Sequence, residues 1–504
     1  MIMIDKQVAY RALTSRDVRF DGVFYVGVTS TGIYCRPVCP VKPPHEANCL
    51  FFDSAEAAEK ASFRPCLRCR PELAPGNAPV DSSHRIADLL IQRIEEGLVE
   101  DIDSLEEIAA QFSLSSRQLR RIVQKELGVS PLELRQTRRL LLAKQLLTET
   151  TLPVTEVAYA SGFASLRRFN EVFSRQYRMP PSRLRKEASE TGHFIRSETS
   201  TLLLSYRPPF NWTALLAFLR LRAIKGVESV DNQSYARTVR LGEHTGWVCV
   251  TQSDKKHALR VEFTHSLTPV LPALLRRLKN LFDLDAHPDL IAAHLEQEPL
   301  LRDSLTKDAG LRVPGAFDGF EMVVRAILGQ QITVKAATTI GGRFAEAFGE
   351  AINTPFPELT QLSPQAARIA VATLDEVASL GIVSARSRTL IAIAQAYDRG
   401  ELTLDAGTDP DRAVASLLAQ PGIGEWTAHY IAMRALRWPD AFPAGDVVVR
   451  KNLGGVTAKE AERLSQAWRP WRSYAVMHIW KNLAPGKAKG LKGLRDRGQH
   501  RVRG

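Results

Sequence analysis

The sequence predicts a multidomain protein in which an α+β unit and an all-α unit each occur twice, in alternating order. The chain has 504 residues, more than one hydrophobic core usually organises. Strand-like segments occur in the first and third parts of the chain and nearly vanish elsewhere. Stretches rich in proline or polar residues separate the parts. We therefore assign domains to residues 1–76, 82–188, 201–312 and 313–485, followed by a basic tail at 486–504.

Composition indicates a folded protein with a polyanionic partner. The chain is 44% hydrophobic and 24% charged, and its formal net charge of +12 favours nucleic acid. A polar N-terminus without a signal peptide, and the lack of a long apolar run, predict a cytoplasmic protein with no membrane contact. Cysteines in such a compartment stay reduced. We interpret Cys49 and Cys249 as packed core thiols.

Four cysteines in the first α+β domain form a C-x3-C pair and a C-x2-C pair, separated by 26 residues: Cys35, Cys39, Cys66 and Cys69. Each pair can place two thiolates on one side of a turn, and two turns can close a four-thiolate site for one zinc ion. Arginines border both pairs and are candidate contacts to a phosphate backbone: Arg36, Arg64 and Arg68. A structural zinc ribbon and disulfides are the alternatives.

Residues 34–40 and 63–69 resemble the two signatures of the N-terminal methyl-acceptor domain of the Ada DNA-repair proteins, over about residues 5–75. The resemblance implies that all four thiolates hold zinc and that Cys35 takes a methyl group from a methylated DNA phosphate. Methylation would turn the Cys35 thiolate into a thioether and remove one negative charge. Affinity for DNA should then rise, since fewer like charges face the backbone. Alternatively, the module serves only to dock DNA.

The arginine-rich segment 82–188 contains two similar helix-turn-helix patterns, which begin 49 residues apart, at 105 and 154. The second helix of each carries candidate DNA contacts: Arg117, Arg120, Arg121, Arg167 and Arg168. The segment resembles the AraC/XylS family of transcription regulators. This resemblance implies promoter DNA as a partner and makes RNA polymerase a candidate partner. The alternative is a helical bundle whose arginines are simply solvated.

A glycine turn at residues 420–428 is expected to open a helix, and Gly422 and Gly424 allow its backbone to approach an anion closely. Asp446 comes later in the sequence and directly precedes the predicted start of another helix, so helix capping and catalysis are both candidate roles for its side chain. Trp426 and Tyr430 lie four residues apart on one helix face. With Trp480 they are candidates for stacking on a base, and core packing is the alternative.

The glycine turn followed by Asp446 resembles the helix-hairpin-helix glycosylase superfamily. Residues 206–212, 325–330 and 468–480 resemble its AlkA branch, the 3-methyladenine glycosylases, over about residues 202–484. The resemblance implies an AlkA N-terminal-like α+β domain followed by an all-α helix-hairpin-helix glycosylase domain. It also implies that a flipped, alkylated purine is released by hydrolysis. Asp446 would stabilise the developing positive charge or activate water.

Three departures refine this resemblance. Relatives that also cut the strand carry lysine where this chain has Trp426, so no lyase activity is expected. No cysteine follows Cys249, so no iron–sulfur cluster is expected. Gln331 occupies the position of the wedge that fills the gap left by the flipped base, which is apolar in AlkA.

Together these features predict a DNA alkylation-damage response protein of the bacterial nucleoid, acting as a monomer on double-stranded damaged and promoter DNA. It would combine a monofunctional N-glycosylase with a single-turnover methyl acceptor that switches on transcription. The alternative is a transcriptional regulator with a vestigial glycosylase half.

Overall fold

The computed structural model describes residues 6–17, 20–71, 74, 87, 90–91, 93–95, 102–111, 114–189, 198–404, 408 and 410–481. The predicted tail at 486–504 lies outside these residues, as do the predicted boundaries near 76, 82 and 485. Among the helices in these ranges, none has the length and apolar character needed to cross a membrane. The predicted order of alternating α+β and all-α parts is confirmed.

The first part is a small four-stranded sheet in the order β3-β1-β2-β4. Its strands are β1 Tyr25–Val28, β2 Ile33–Cys35, β3 Cys49–Phe52 and β4 Arg64–Pro65. The helices beside it are Lys6–Ser15, Ala55–Lys60 and the 3-10 turn Glu46–Asn48. β1 is antiparallel to β2 and β3, whereas β2 and β4 run parallel, with Tyr34 opposite Pro65. This parallel pairing brings the end of β2, at Cys35, beside the segment that starts at Cys66.

The second part is all-α, with described helices Ile102–Gln111, Ser116–Leu127, Pro131–Glu149, Val154–Ala160, Leu166–Tyr177 and Pro181–Ser189. Serine side chains cap several of them: Ser115 and Ser130 form capping boxes, and Ser165 accepts from the N–H of Arg168. Two helix-turn-helix pairs therefore form as predicted, one on each side in sequence of the long helix Pro131–Glu149. Each second helix buries apolar side chains and leaves its arginines outside.

The third part is a five-stranded antiparallel sheet in the order β5-β9-β8-β7-β6. Its strands are β5 Thr199–Ser205, β6 Glu228–Val230, β7 Ser234–Leu241, β8 His244–Gln252 and β9 Ala258–Thr264. Its helices are Trp212–Arg220, the 3-10 segment His265–Val270, Leu271–Leu281, Pro288–Leu295 and Pro299–Lys307. Cys49 is buried as predicted. Cys249 is only half-buried, because its side chain lies on the face of β8 opposite the buried Val248 and Val250.

The fourth part is all-α, as predicted, apart from isolated bridges such as that between Ala351 and Gln361. Its described helices are Gly319–Leu328, Val334–Phe348, Ala366–Ala370, Leu374–Ala378, Ser384–Asp398, Pro410–Leu418, Glu425–Arg434, Val447–Asn452, Ala458–Leu464, the 3-10 turn Ser465–Trp468 and Arg472–Lys481. Apolar side chains of these helices form two buried clusters. The loop that carries Asp446 therefore lies between well-packed helices.

Ion pairs with mostly buried carboxylates join the first three parts. Arg138, on the long helix Pro131–Glu149, pairs with Glu56 of the first part at 2.9 Å and with Glu95 at 3.0 Å. Arg276, on a helix of the third part, pairs with Glu95 at 3.3 Å and with Asp285 at 2.8 Å. Removing one member of such a set leaves another charge buried without a partner. The ion pairs therefore hold the parts in one arrangement.

We expect Glu95→Gln to destabilise the protein by about 3 kcal/mol, because the cations around Glu95 lose their partner. Burial alone would raise the pKa of Glu95, but Lys279, Arg138 and Arg276 hold it below 4.5. The stabilisation should therefore be present above this ordinary value and be lost as the pH falls through the lower folded-state pKa. Thermal unfolding from about pH 3 to 7 measures both effects.

Glu171→Gln is the matched control, since Glu171 belongs to an exposed pair with Arg168 and Arg175 and should change stability little. Equal pH dependence in the wild type and in Glu95→Gln would contradict the role of Glu95.

Candidate functional site

The four cysteines expected to hold a metal lie together, with all their Sγ atoms within 4.8 Å of one another. Cys35 ends β2, and the N–H of Cys66 donates to the carbonyl of Tyr34 at 3.0 Å. The N–H of Arg70 donates to the carbonyl of Cys66 at 3.3 Å and closes the turn that carries Cys69. Four sulfurs about 3.8 Å apart would surround a zinc ion with metal–sulfur bonds of about 2.3 Å. The donor set therefore fits zinc.

Cys35 is the most accessible of the four cysteines. Cys39, Cys66 and Cys69 are 5%, 6% and 7% exposed, whereas Cys35 is half-buried. All six cysteines of the chain have free thiols, so the disulfide alternative has no support. Cys35 is therefore the residue of the four that has the most contact with solvent.

Arg36 lies against the cysteine cluster and not on the open surface. Its guanidinium is paired with Asp21, with Nε donating to Oδ1 at 2.8 Å, and its side chain is 12% exposed. Its Nη1 donates to the carbonyl of Cys69 at 3.0 Å, and its backbone N–H donates to the Sγ of Cys69 at 3.3 Å. A charge-assisted pair with Asp21 thus holds the guanidinium against the cluster, and the DNA contact of Arg36 stays a prediction.

The other arginines predicted to contact DNA are more accessible. Arg64 is half-buried and Arg68 is exposed beside the cysteine cluster. The arginines of the two second helices are all exposed: Arg117, Arg120, Arg121, Arg167 and Arg168. Arg168 pairs with Glu171 at 3.2 Å, a contact that an exposed pair gives up at little cost. The DNA contacts of these residues stay predictions.

Asp446 caps the helix Val447–Asn452 and also accepts hydrogen bonds from two tryptophans. Its Oδ1 accepts from the N–H groups of Val448 and Val449 at 3.0 and 2.9 Å, and from Nε1 of Trp480 at 3.1 Å. Its Oδ2 accepts from Nε1 of Trp426 at 3.1 Å. Within the described part of the chain that is the one hydrogen bond to Oδ2, so this oxygen keeps acceptor capacity.

Three aromatic rings lie beside this carboxylate. The rings of Trp426 and Tyr430 are stacked, with centroids 5.1 Å apart and planes 9° apart. Trp480 is tilted against Tyr430, with centroids 6.2 Å apart. Trp426 and Trp480, both expected to form a base pocket, therefore each contact the ring of Tyr430 and each donate to Asp446.

Cations from two domains border the same cluster. Nη1 of Arg434 donates to the hydroxyl of Tyr430 at 2.8 Å. Burial acts to raise the pKa of Tyr430, but the charges of Arg434 and Arg222 lower it below its usual value. The guanidinium carbons of Arg222 and Arg434 lie 3.7 and 4.9 Å from the ring centroid of Phe218.

Sequence reasoning missed Phe218, Arg222 and Arg434. Phe218 belongs to the helix Trp212–Arg220 of the third part, far from Trp426 in sequence. The residues that surround it in the sequence are typical of an ordinary packed helix. A weak signal existed for Arg434, which lies four residues after Tyr430 and so shares its helix face.

The glycine turn before the helix Glu425–Arg434 requires glycine at Gly422. Its φ is +85°, and a Cβ at this position would lie 2.1 Å from Oγ1 of Thr389. Nε2 of Gln330 donates to the carbonyl of Gly422 at 3.0 Å and to Oγ1 of Thr427 at 3.2 Å. These hydrogen bonds of Gln330 thus connect the turn to the end of the helix Gly319–Leu328.

Gln331, Gly422 and Gly424 lie on the surface near the hydrogen bonds of Gln330. Gln331 is exposed and has a φ of +57°, which is uncommon for a residue other than glycine. Gly422 and Gly424 are exposed, and a Cβ added to Gly424 would meet no atom within 4 Å. The hairpin turn and Gln331 therefore remain accessible to a large ligand.

An ion pair and two hydrogen bonds hold the loop that leads to Asp446. Nε of Arg472 donates to Oδ1 of Asp440 at 2.7 Å, and this pair is almost fully buried. The hydroxyl of Ser473 donates to the carbonyls of Trp438 and Ala441 at 2.8 and 3.0 Å. These contacts fix the backbone shortly before Asp446 and so limit the movement of its carboxylate.

Four family profiles match successive parts of the chain. They are the metal binding domain of Ada at residues 8–72, a helix-turn-helix domain at 108–187, the AlkA N-terminal domain at 201–318, and the HhH-GPD superfamily of base excision DNA repair proteins at 324–472. The cysteine cluster and the Asp446 cluster each fall within one of these matches.

Similar proteins match nearly the whole chain or one part of it. The "Probable bifunctional transcriptional activator/DNA repair enzyme AlkA" of Mycobacterium tuberculosis is 38% identical over 488 residues, which are 95% of this chain and 97% of that protein. The "DNA-3-methyladenine glycosylase 2" of Escherichia coli is 35% identical over 277 residues, 55% of this chain and 95% of that protein. The Escherichia coli "Bifunctional transcriptional activator/DNA repair enzyme Ada" is 34% identical over 122 residues, 24% of this chain and 33% of that protein.

We expect the purified protein to retain about one zinc ion per chain, and Cys66→Ser to lose it, because three thiolates and a serine hydroxyl bind zinc more weakly. Metal analysis by atomic absorption after extensive dialysis measures the content. Cys249→Ser, outside the cluster, is the control and should retain the zinc of the wild type. Equal zinc content in both variants would contradict the assignment of the cluster.

Proposed function

The chain belongs to the family of bifunctional transcriptional activator/DNA repair enzymes that includes the mycobacterial AlkA protein, and we propose that it removes alkylated purines at Asp446 and senses methylated DNA phosphates at Cys35. It combines an Ada-type metal-binding domain and a helix-turn-helix domain with an AlkA-type 3-methyladenine glycosylase. The proposal extends this family membership to substrates and to single residues. The observation that carries it is the Asp446 carboxylate, whose Oδ2 keeps acceptor capacity beside three aromatic rings.

In base removal, the bond between the sugar C1′ and the purine nitrogen breaks, and the electron pair leaves with the base. The sugar then carries positive charge, which the nearby carboxylate of Asp446 stabilises. A water molecule forms the new bond to C1′, and its proton passes to Oδ2 or to solvent. An alkylated purine is already cationic and leaves as a neutral base, so no general acid is needed.

Recognition of the flipped base rests on the aromatic faces of Trp426, Tyr430 and Trp480. A cationic ring is attracted to the electron-rich face of an indole or a phenol. Both indole N–H groups donate to Asp446, so the rings and the carboxylate are held as one rigid group. The exposed Gly422 turn would bind the DNA backbone next to the lesion through its N–H groups, and Gln331 would fill the gap in the base stack.

In sensing, the sulfur of Cys35 attacks the methyl carbon of a methylphosphotriester. The sulfur–carbon bond forms, the carbon–oxygen bond breaks, and the phosphodiester leaves with the electron pair. A zinc ion, when bound by the four cysteines, keeps their thiols in the thiolate form at neutral pH. Cys35 is the accessible member of the four, which supports its role as the nucleophile. The thioether product cannot be displaced easily, so each chain acts once.

Methyl transfer lowers the negative charge of the cluster, and we propose that it thereby strengthens promoter binding through the exposed arginines of the helix-turn-helix pairs. Fewer like charges then face the DNA backbone near Arg64 and Arg68. The alternative function, a regulator whose glycosylase half is vestigial, lacks support from the site, because the carboxylate, the hairpin turn and the aromatic cluster are all in place.

We expect Asp446→Asn to lower the rate of 3-methyladenine release by about 100-fold or more, because the amide cannot stabilise positive charge on the sugar. Release of base from methylated duplex DNA, followed by cleavage of the abasic sites, measures it. Asp398→Asn, an exposed aspartate in the same domain, is the control. Wild-type protein that releases no base would favour the regulator alone, whereas an Asp446→Asn variant as active as the wild type would contradict the catalytic role of Asp446.

For Cys35, we expect the wild type to gain the mass of one methyl group after exposure to DNA with methylated phosphates, and Cys35→Ala to gain none. Intact-protein and peptide mass spectrometry locate the group, and Cys249→Ala is the matched control. The methylated protein should bind promoter DNA more tightly than the unmodified one, and the difference should shrink at high salt. Transfer that persists in Cys35→Ala would contradict the assignment. Unchanged DNA affinity would favour a docking module.

A further inference from the structure

The long helix Pro131–Glu149 contacts the cysteine cluster through two cation-mediated interactions. Nζ of Lys144 donates to the carbonyl of Cys66 at 3.1 Å, and Lys144 is only 1% exposed. Arg70, which directly follows Cys69, donates from Nη2 to Oγ1 of Thr148 at 2.8 Å and pairs with Oε1 of Glu149 at 2.9 Å. The turn that bears the second pair of cysteines is therefore held to this helix at both ends.

Arg70 has an unusual backbone conformation. Its φ is +55°, in the left-handed region that residues other than glycine seldom adopt. Such a conformation persists where the surroundings stabilise it, and here the side chain is tied to Thr148 and Glu149. A change in the cysteine turn therefore acts directly on Arg70.

The same helix also contacts the five-stranded sheet. β5 is an edge strand, since it is first in the order β5-β9-β8-β7-β6. Oε2 of Glu149 accepts from the N–H of Leu203 at 3.1 Å, and Nε2 of Gln145 donates to the carbonyl of Leu203 at 2.9 Å. Nε2 of Gln145 also donates to Oε2 of Glu149 at 2.9 Å. Two side chains of the helix thus take the place of a neighbouring strand at Leu203.

The two carboxylate oxygens of Glu149 serve different parts of the molecule, Oε1 the cysteine turn and Oε2 strand β5. We infer that Glu149 couples the metal state of the cysteine cluster to the sheet that carries the helix of Phe218. The bound metal orders the cysteine turn and so fixes the position of Arg70. The guanidinium of Arg70 fixes the carboxylate of Glu149, and this carboxylate fixes the backbone N–H of Leu203. The coupling is reciprocal, so disturbance of β5 weakens metal retention by the same factor.

This inference rests on the proposed metal binding by the cysteines, and it links the sensing half to the base-removing half. The sheet belongs to the α+β part that supplies Phe218, and Phe218 meets Arg434 and hence Tyr430 in the base pocket. Loss of metal would therefore loosen the α+β part that completes this pocket.

Hydrogen–deuterium exchange of the full chain, with and without a zinc chelator, tests the coupling. Zinc removal should raise amide exchange in a peptide that covers β5 by at least about twofold in the wild type. Peptides from the cysteine turns report whether the metal has left, and zinc analysis of the same samples reports how much was bound.

Glu149→Gln separates the contact with Arg70 from the contact with Leu203. The amide keeps an oxygen for the N–H of Leu203 but loses the charge that holds Arg70. With zinc bound, exchange at β5 should stay near that of the wild type, and the response of β5 to the chelator should disappear. Arg70→Met should give the same result without altering the contacts to Leu203. Glu187→Gln, in an exposed pair with Arg183, is the control and should respond as the wild type does.

Three outcomes would overturn the inference. Cysteine peptides that respond to the chelator while β5 does not would leave zinc binding intact and refute the coupling. A full β5 response in both Glu149→Gln and Arg70→Met would exclude Glu149 as the link. A wild-type chain that holds no zinc would refute the metal assignment, and the coupling with it.

Discussion

The arrangement of this protein depends on the rule that a buried cation needs a partner. The chain has an excess of basic residues, and several arginines and one lysine lie inside it with little exposure. Several of these arginines pair with carboxylates on other elements: Arg237 with Glu321, Arg276 with Glu95 and Asp285, and Arg472 with Asp440. Since an unpaired buried charge costs several kcal/mol, these pairs favour the arrangement in which each of these charges meets its partner.

In the proposed function, base removal at Asp446 and sensing at Cys35 differ according to the surroundings of the two residues. Asp446 is held by four N–H donors, and in the proposed reaction it would be regenerated each time, so that its site could act on many lesions. Cys35 is the accessible member of a cluster whose other three sulfurs are buried, and its product is stable. A signal that records exposure to damage suits the second centre, and continuous repair suits the first.

The sequence predicts the fold well wherever the signal is local. Cysteine spacing, the glycine turn and the helix-turn-helix patterns all act within short stretches of sequence, and the elements they specify are present. The contact of Asp446 with Trp426 and Trp480 follows from motifs that lie close together in one domain. Arg36, Phe218 and Glu149 show the limit. Their partners Asp21, Arg434 and Leu203 are distant in sequence, and no local pattern distinguishes a buried arginine or glutamate from a solvated one.

The side chains of Gln145 and Glu149 have a second consequence, which concerns solubility. β5 carries the apolar run Leu202, Leu203 and Leu204, and an uncovered strand of this kind is a template for pairing with another chain. With the helix in place, the backbone groups of Leu203 already have partners. The helix Pro131–Glu149 of the regulatory half thus leaves the backbone of Leu203 unavailable for pairing with a strand of another chain.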